Sequence, residues 1–79
     1  MKYTSVQIGE LVKGTRNRLG LTQENLALAA GTGLRFIIDL EKGKPTCQLQ
    51  KTLTVLNTLG IGISFNPPVT EPDHDMKRA

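Results

Sequence analysis

Residues 21–43, LTQENLALAAGTGLRFIIDLEKG, divide by their own punctuation into two short helices and a turn. Thr22 suits an N-cap, because its hydroxyl can accept a bond from an amide one turn on that has no partner within the helix. Leu26, Ala27 and Ala30 then recur at helical spacing, a narrow apolar stripe small enough to let a second helix come close. Gly31 is placed to end the first helix, since glycine enters the left-handed region without the steric cost of a Cβ. After Gly33 the helical spacing resumes at Leu34, Ile37 and Leu40, and Gly43 stops it.

Helix, glycine turn and helix at this length form the helix-turn-helix (HTH) motif, whose second helix enters the major groove of DNA. The residues around it also carry a family resemblance. LTQENLALAAG, RFIIDLEKGKPT and LQKTLTVLNTLGI together resemble the Cro/phage-repressor (Xre) type of HTH domain, over roughly residues 5–65. Within it, the LEKGKPT run and the ending LNTLGIGISF are similar to the HipB group of antitoxins. The resemblance implies a dimeric repressor of operator DNA and, for the HipB group, a HipA-type kinase toxin as a second partner.

Ahead of the motif, TSVQ at residues 4–7 has the form of a capping box, with Thr4 as N-cap and Gln7 reaching back. Ile8, Leu11, Val12, Thr15 and Leu19 mark one face of a helix ending near Gly20, and Gly14 within it points to a close packing contact. Behind the motif, Pro45 in GKPT cannot continue a helix. A fourth helix is expected from about Cys47 to Leu59, with Leu49, Leu53, Leu56 and Leu59 as its apolar face. The period then changes to two: Ile61, Ile63 and Phe65 alternate with Gly62 and Ser64, the pattern of a half-buried strand. A lone strand lacks a partner, so these three residues are expected to pair with their copies across a two-fold axis. The alternative is an extended tail packed on its own helices. Residues 66–79, NPPVTEPDHDMKRA, hold three of the four prolines and are expected to be disordered. The expected fold is therefore all-α, a bundle of four to five helices with a short C-terminal β-strand paired across a dimer. Residues 1–65 form the domain and 66–79 the tail.

A chain of 79 residues has room for one small domain, which buries only about 60% of its unfolded surface and gains from dimerisation. Aromatic residues are 4% of the chain with no Trp, so the core must be aliphatic. Residues 1–65 hold eight Lys and Arg against four acids, while 66–79 hold two against three, so the globular part is the basic part. That is the charge a nucleic-acid footprint requires.

On the second motif helix the exposed early positions are expected to be Gly33, Leu34, Arg35, Phe36, Ile38 and Asp39. Arg35 either forks onto guanine O6 and N7 or holds a phosphate. Asp39 either accepts from a cytosine amine or orients Arg35 one turn earlier, and the second is preferred. Gly33, Leu34 and Ile38 stand where many members of the family it resembles carry polar residues, so base readout is expected to rely on few contacts and on DNA shape. Alternatively, the apolar surface of Leu34, Phe36 and Ile38 binds a protein. The resemblance assigns further roles: Gln23, beside the Thr22 cap in the candidate DNA surface, contacts phosphate and braces the recognition helix, and Lys42, Lys44 and Thr46 form a backbone clamp. It also pairs an arginine of the first helix with a glutamate ending the recognition helix, here Arg16 and Glu41.

No catalytic constellation emerges: the chain has one histidine and no phosphate-binding glycine loop with a lysine, and no cofactor or metal is expected. His74 between Asp73 and Asp75 lies in the tail without a second cluster. Cys47, a single cysteine, can form no intramolecular disulfide. With no signal peptide and no apolar run near the ~20 residues of a membrane span, the expected place is the cytoplasm. The expected function is repression of transcription as a HipB-like antitoxin, against two rivals: a stand-alone Xre-type regulator, or an interaction module that no longer reads DNA.

Overall fold

A computed structural model describes residues 3–68 as four helices: α1 (Ser5–Arg18), α2 (Gln23–Ala30), α3 (Leu34–Glu41) and α4 (Leu49–Thr58). Two of them start on reciprocal caps. The Thr4 hydroxyl accepts from the Gln7 amide and the Gln7 side chain accepts from the Thr4 amide. Thr22 and Asn25 repeat the exchange at α2. Each box satisfies two amides that the helix itself leaves without partners. Gly31 ends α2 in the left-handed region at φ +71°, and the Thr32 amide reaches back to the Ala27 carbonyl.

The core is aliphatic. Val12, Leu26, Ile37 and Val55, one from each helix, are fully buried, and Ala27, Leu40, Leu56 and Leu59 close around them. α3 packs on both α1 and α2, and α4 covers α2. The close approach expected at Gly14 occurs instead at Gly9. A methyl group on Gly9 would collide with the Leu40 carbonyl and come within 2.9 Å of the Glu41 carbonyl oxygen, whereas one on Gly14 would meet only the end of Arg18 at 3.7 Å. A methyl group on Gly43, at φ +84°, would likewise collide with Val6, at 2.7 Å from its Cα. Two glycines thus seat the C-terminal end of α3 directly on the first turns of α1.

Three further expectations are corrected. The buried face of α1 carries Gly9, Val12 and Arg16, leaving Leu11 and Leu19 exposed. α4 begins at Leu49 rather than near Cys47, and its buried face carries Thr52, Val55 and Leu56 while Leu49 stands 72% exposed. The buried Thr52 hydroxyl donates to the Gln48 carbonyl, which removes the cost of covering it.

No β-strand occurs among the described residues, which overturns the C-terminal strand expected at Ile61, Ile63 and Phe65. A strand exists only through its ladder, and the described residues present no strand for this segment to join. Instead the Ile61 amide closes the end of α4 by donating to the Leu56 carbonyl, and Ile61 packs on the core. Beyond it residues 62–68 run exposed, with Phe65 83% accessible. The expected tail lies, from residue 69 on, outside the described residues, as does His74. Among the described residues no helix is long and apolar enough to cross a membrane.

Candidate nucleic-acid interface

The orientation of α3 is set by a polar junction of three helices. Arg16 of α1 reaches Glu41, the last residue of α3, through two bonds: Nε to Oε2 at 2.6 Å and Nη2 to Oε1 at 3.1 Å. Its Nη1 donates to the Leu21 carbonyl at 2.8 Å. Gln23, in the first turn of α2, donates from Nε2 to Glu41 Oε1 at 3.1 Å. The paired side chains are only 10% and 4% exposed, so water screens them little. The Glu41 hydrogen bond raises the Arg16 pKa above its ordinary value, outweighing the burial that opposes it. Glu41 therefore fastens α3 to α1 and α2 at once.

Held in this way, α3 presents an exposed N-terminal half. Gly33 caps it with no side-chain bond, and Gly33, Leu34 and Arg35 are all exposed. Ile38 and Asp39 are half-buried. Phe36, expected to face outward, packs partly against the core, with Lys51 of α4 above its ring at 5.8 Å from the centroid. Arg35 extends into solvent, and its Nε lies 3.3 Å from Asp39 Oδ1 one turn on.

The loop leaving α3 brings further positive charge to the same end of the molecule. Lys42, Lys44 and Thr46 are exposed, and Lys44 Nζ lies 3.5 Å from Asp39 Oδ2. Thr22 is exposed at the start of α2, but its hydroxyl is occupied by the cap and the Gln23 amide group is turned to Glu41. Cys47 sits in this loop, half-buried. Burial, with the Asp39 charge adding to it and Lys44 opposing, pushes its thiol above the ordinary value of 9.0.

No protein-family model matches the chain. The "Uncharacterized HTH-type transcriptional regulator y4mF" of Sinorhizobium fredii (strain NBRC 101917 / NGR234) is 52% identical to it over 65 residues, covering 82% of this chain and 86% of that relative. The chain belongs to the HTH-type transcriptional regulators. Among solved structures, a chain of the HipB–O4 20mer complex matches this regulator with a TM-score of 0.75, over 85% of this chain and 94% of that one. Identity there is 22%, so that likeness is one of fold.

Two features of the regulator escaped the sequence reading. Nothing in the sequence spacing ties Lys51 to Phe36, fifteen residues earlier. Leu28 projects from α2 with 81% exposure. Its outward direction follows from the stripe at Leu26, Ala27 and Ala30, which leaves position 28 on the far side. No group of His, Cys, Asp and Glu able to hold a metal occurs among the described residues.

Proposed function

We propose that this regulator is a transcriptional repressor that binds operator DNA as a homodimer, with α3 in the major groove. Arg35 reads a guanine, Gly33 admits the backbone closely, and Leu34 and Ile38 meet thymine methyl groups. Thr22 and Gln23, with Lys42, Lys44 and Thr46, flank the phosphates on either side. Asp39 positions Arg35, and Phe36 supports the groove-facing turn from behind. The observation that carries this reading is the exposed Arg35 on a helix whose frame is locked by Arg16, Glu41 and Gln23. Locking matters because a base contact is specific only when the side chain arrives in one register. The narrower reading is a HipB-like antitoxin working in the cytoplasm with a HipA-type kinase toxin, and the fold likeness to the HipB chain supports it. A kinase gene adjoining this one favours that pairing, and a solitary gene favours a stand-alone regulator.

The test is a titration of wild type, Arg35→Ala and Lys44→Ala against two duplexes at several salt concentrations. One duplex is selected by the wild type from a random library, and the other is a scrambled copy. Arg35→Ala is expected to lose ~1–3 kcal/mol per half-site on the selected duplex alone. Lys44→Ala should weaken both duplexes and reduce the salt slope by about one per contact. The selected site should be an inverted repeat with half-sites ~34 Å apart. Wild type that enriches no duplex from the library and retains none at low salt sinks the DNA reading. The protein-interaction reading then takes its place, resting on exposed Leu28 and Leu34.

A further inference from the structure

Asp39 stands between the two cations to which opposite tasks are assigned above. Its Oδ1 faces Arg35 Nε at 3.3 Å and its Oδ2 faces Lys44 Nζ at 3.5 Å. The Asp39 side chain is 19% exposed, against 77% for Arg35 and 54% for Lys44, so the carboxylate is the fixed member and the cations are the movable ones. The spacing is built into the backbone, because the Lys44 amide donates to the Asp39 carbonyl at 3.0 Å. The other acid at this end of α3, Glu41, is already bound to Arg16 and Gln23.

We propose that Asp39 is a shared counter-ion that holds Arg35 and Lys44 off non-cognate DNA, which makes it a specificity-determining positioning residue of the interface. The inference rests on the DNA-binding function proposed above. Its physical basis is competition. Any phosphate of a non-cognate duplex must draw both cations away from a carboxylate that is already in place, and it gains no base contact in return. A cognate guanine is different. It can take the two terminal nitrogens of Arg35 end-on while Nε stays on Asp39, so the ion pair survives binding and aims the fork. Asp39 therefore subtracts more from non-specific than from specific affinity, and discrimination is a difference of the two.

The experiment titrates wild type, Asp39→Asn and Asp39→Glu against the selected and scrambled duplexes across a salt series. Asp39→Asn is repeated in an Arg35→Ala, Lys44→Ala background. Asp39→Asn should bind the scrambled duplex about 3- to 30-fold more tightly at low salt, the range that two exposed ion pairs correspond to. Its salt slope there should steepen by about one per cation released. The selected duplex should gain less, so the ratio of the two affinities falls. Asp39→Glu keeps the charge and should keep most of the ratio. In the doubly substituted background the effect of Asp39→Asn should vanish. Should Asp39→Asn melt early, Asp39→Ser serves in the same comparisons. Unchanged scrambled-duplex binding and slope overturn the proposal. So does equal weakening on both duplexes, or a gain that persists without Arg35 and Lys44. If wild type discriminates and Asp39→Asn behaves like it, this inference alone fails; if wild type binds no DNA, the function proposed above fails and takes this inference with it.

Discussion

Arg16 and Glu41, twenty-five residues apart, meet through two hydrogen bonds where α1, α2 and α3 converge. The pair lies at the point where the last turn of α3 rests on α1, so it fixes how far and at what tilt the exposed half of α3 projects. Every polar contact of the arginine is accounted for by Glu41 and the Leu21 carbonyl. Among the described residues no buried side-chain nitrogen or oxygen lacks a partner.

Removing one member should therefore be costly. Glu41→Ala strands a guanidinium that is only 10% exposed and also frees Gln23, with an expected loss of ~3 kcal/mol. A solvent-exposed pair would lose no more than ~1 kcal/mol. Urea unfolding of the variant separates the two, and a loss of a few tenths would show that water replaces the carboxylate freely.

Gly9 and Gly14 lie five residues apart on α1 and should respond to alanine with opposite signs. Gly9→Ala drives a methyl into the Leu40 and Glu41 carbonyls at the end of α3, with an expected cost of ~1–3 kcal/mol. Gly14→Ala makes only an ordinary contact with the end of Arg18 at 3.7 Å and removes a flexible residue from a helix interior, with an expected gain of up to ~1 kcal/mol. Thermal unfolding of both variants reads the signs directly. Equal shifts would mean that α1 does not approach α3 through Gly9.

Cys47 supplies a pH dependence. Its thiol is raised above 9.0, chiefly by burial, so the folded protein holds that proton more tightly than the unfolded chain. The resulting stability is present in full below pH 9.0 and is lost as pH climbs through the higher folded value. Wild type should thus lose more stability than Cys47→Ser between neutral and strongly alkaline pH. Alkylation of the native thiol near pH 8 should also be slower than in denaturant. Identical rates in the two states would place Cys47 in a fully solvated setting.

The proposed dimer is tested at Ile63 and Phe65, which lie on the strand-free segment after α4 at 40% and 83% exposure. Ile61 is left intact because it packs on the core. Changing Ile63 and Phe65 together to serine should leave the helices folded while halving the mass found by analytical ultracentrifugation. A dimer that persists at the wild-type dissociation constant would move the subunit contact elsewhere.

The sequence by itself determined the helix boundaries that local chemistry controls. Thr4 with Gln7 and Thr22 at helix starts, and Gly31 at a helix end, act through neighbours only a few residues away, so their effect is written in adjacent letters. The same holds for the turn between α2 and α3, and so for the motif itself. The resemblance also paired Arg16 with Glu41 and set Gln23 to brace the recognition helix, but it did not name the Glu41 carboxylate as the group that Gln23 holds.

What only the tertiary structure decided was which side of each helix is covered. α1 and α4 both carry more aliphatic residues than one face can hold, so two overlapping stripes satisfy the helical period equally well. In α1 the choice fell on the side bearing Gly9 and Arg16, neither of which a hydrophobic pattern counts as core. Glycine wins that side because its missing Cβ admits the α3 carbonyls, and arginine because Glu41 neutralises it there. The C-terminal segment follows the same logic in reverse. An alternating pattern states that a strand is possible, but a strand needs a ladder partner, and whether one is present is a property of the assembled chain and not of the five residues Ile61 to Phe65.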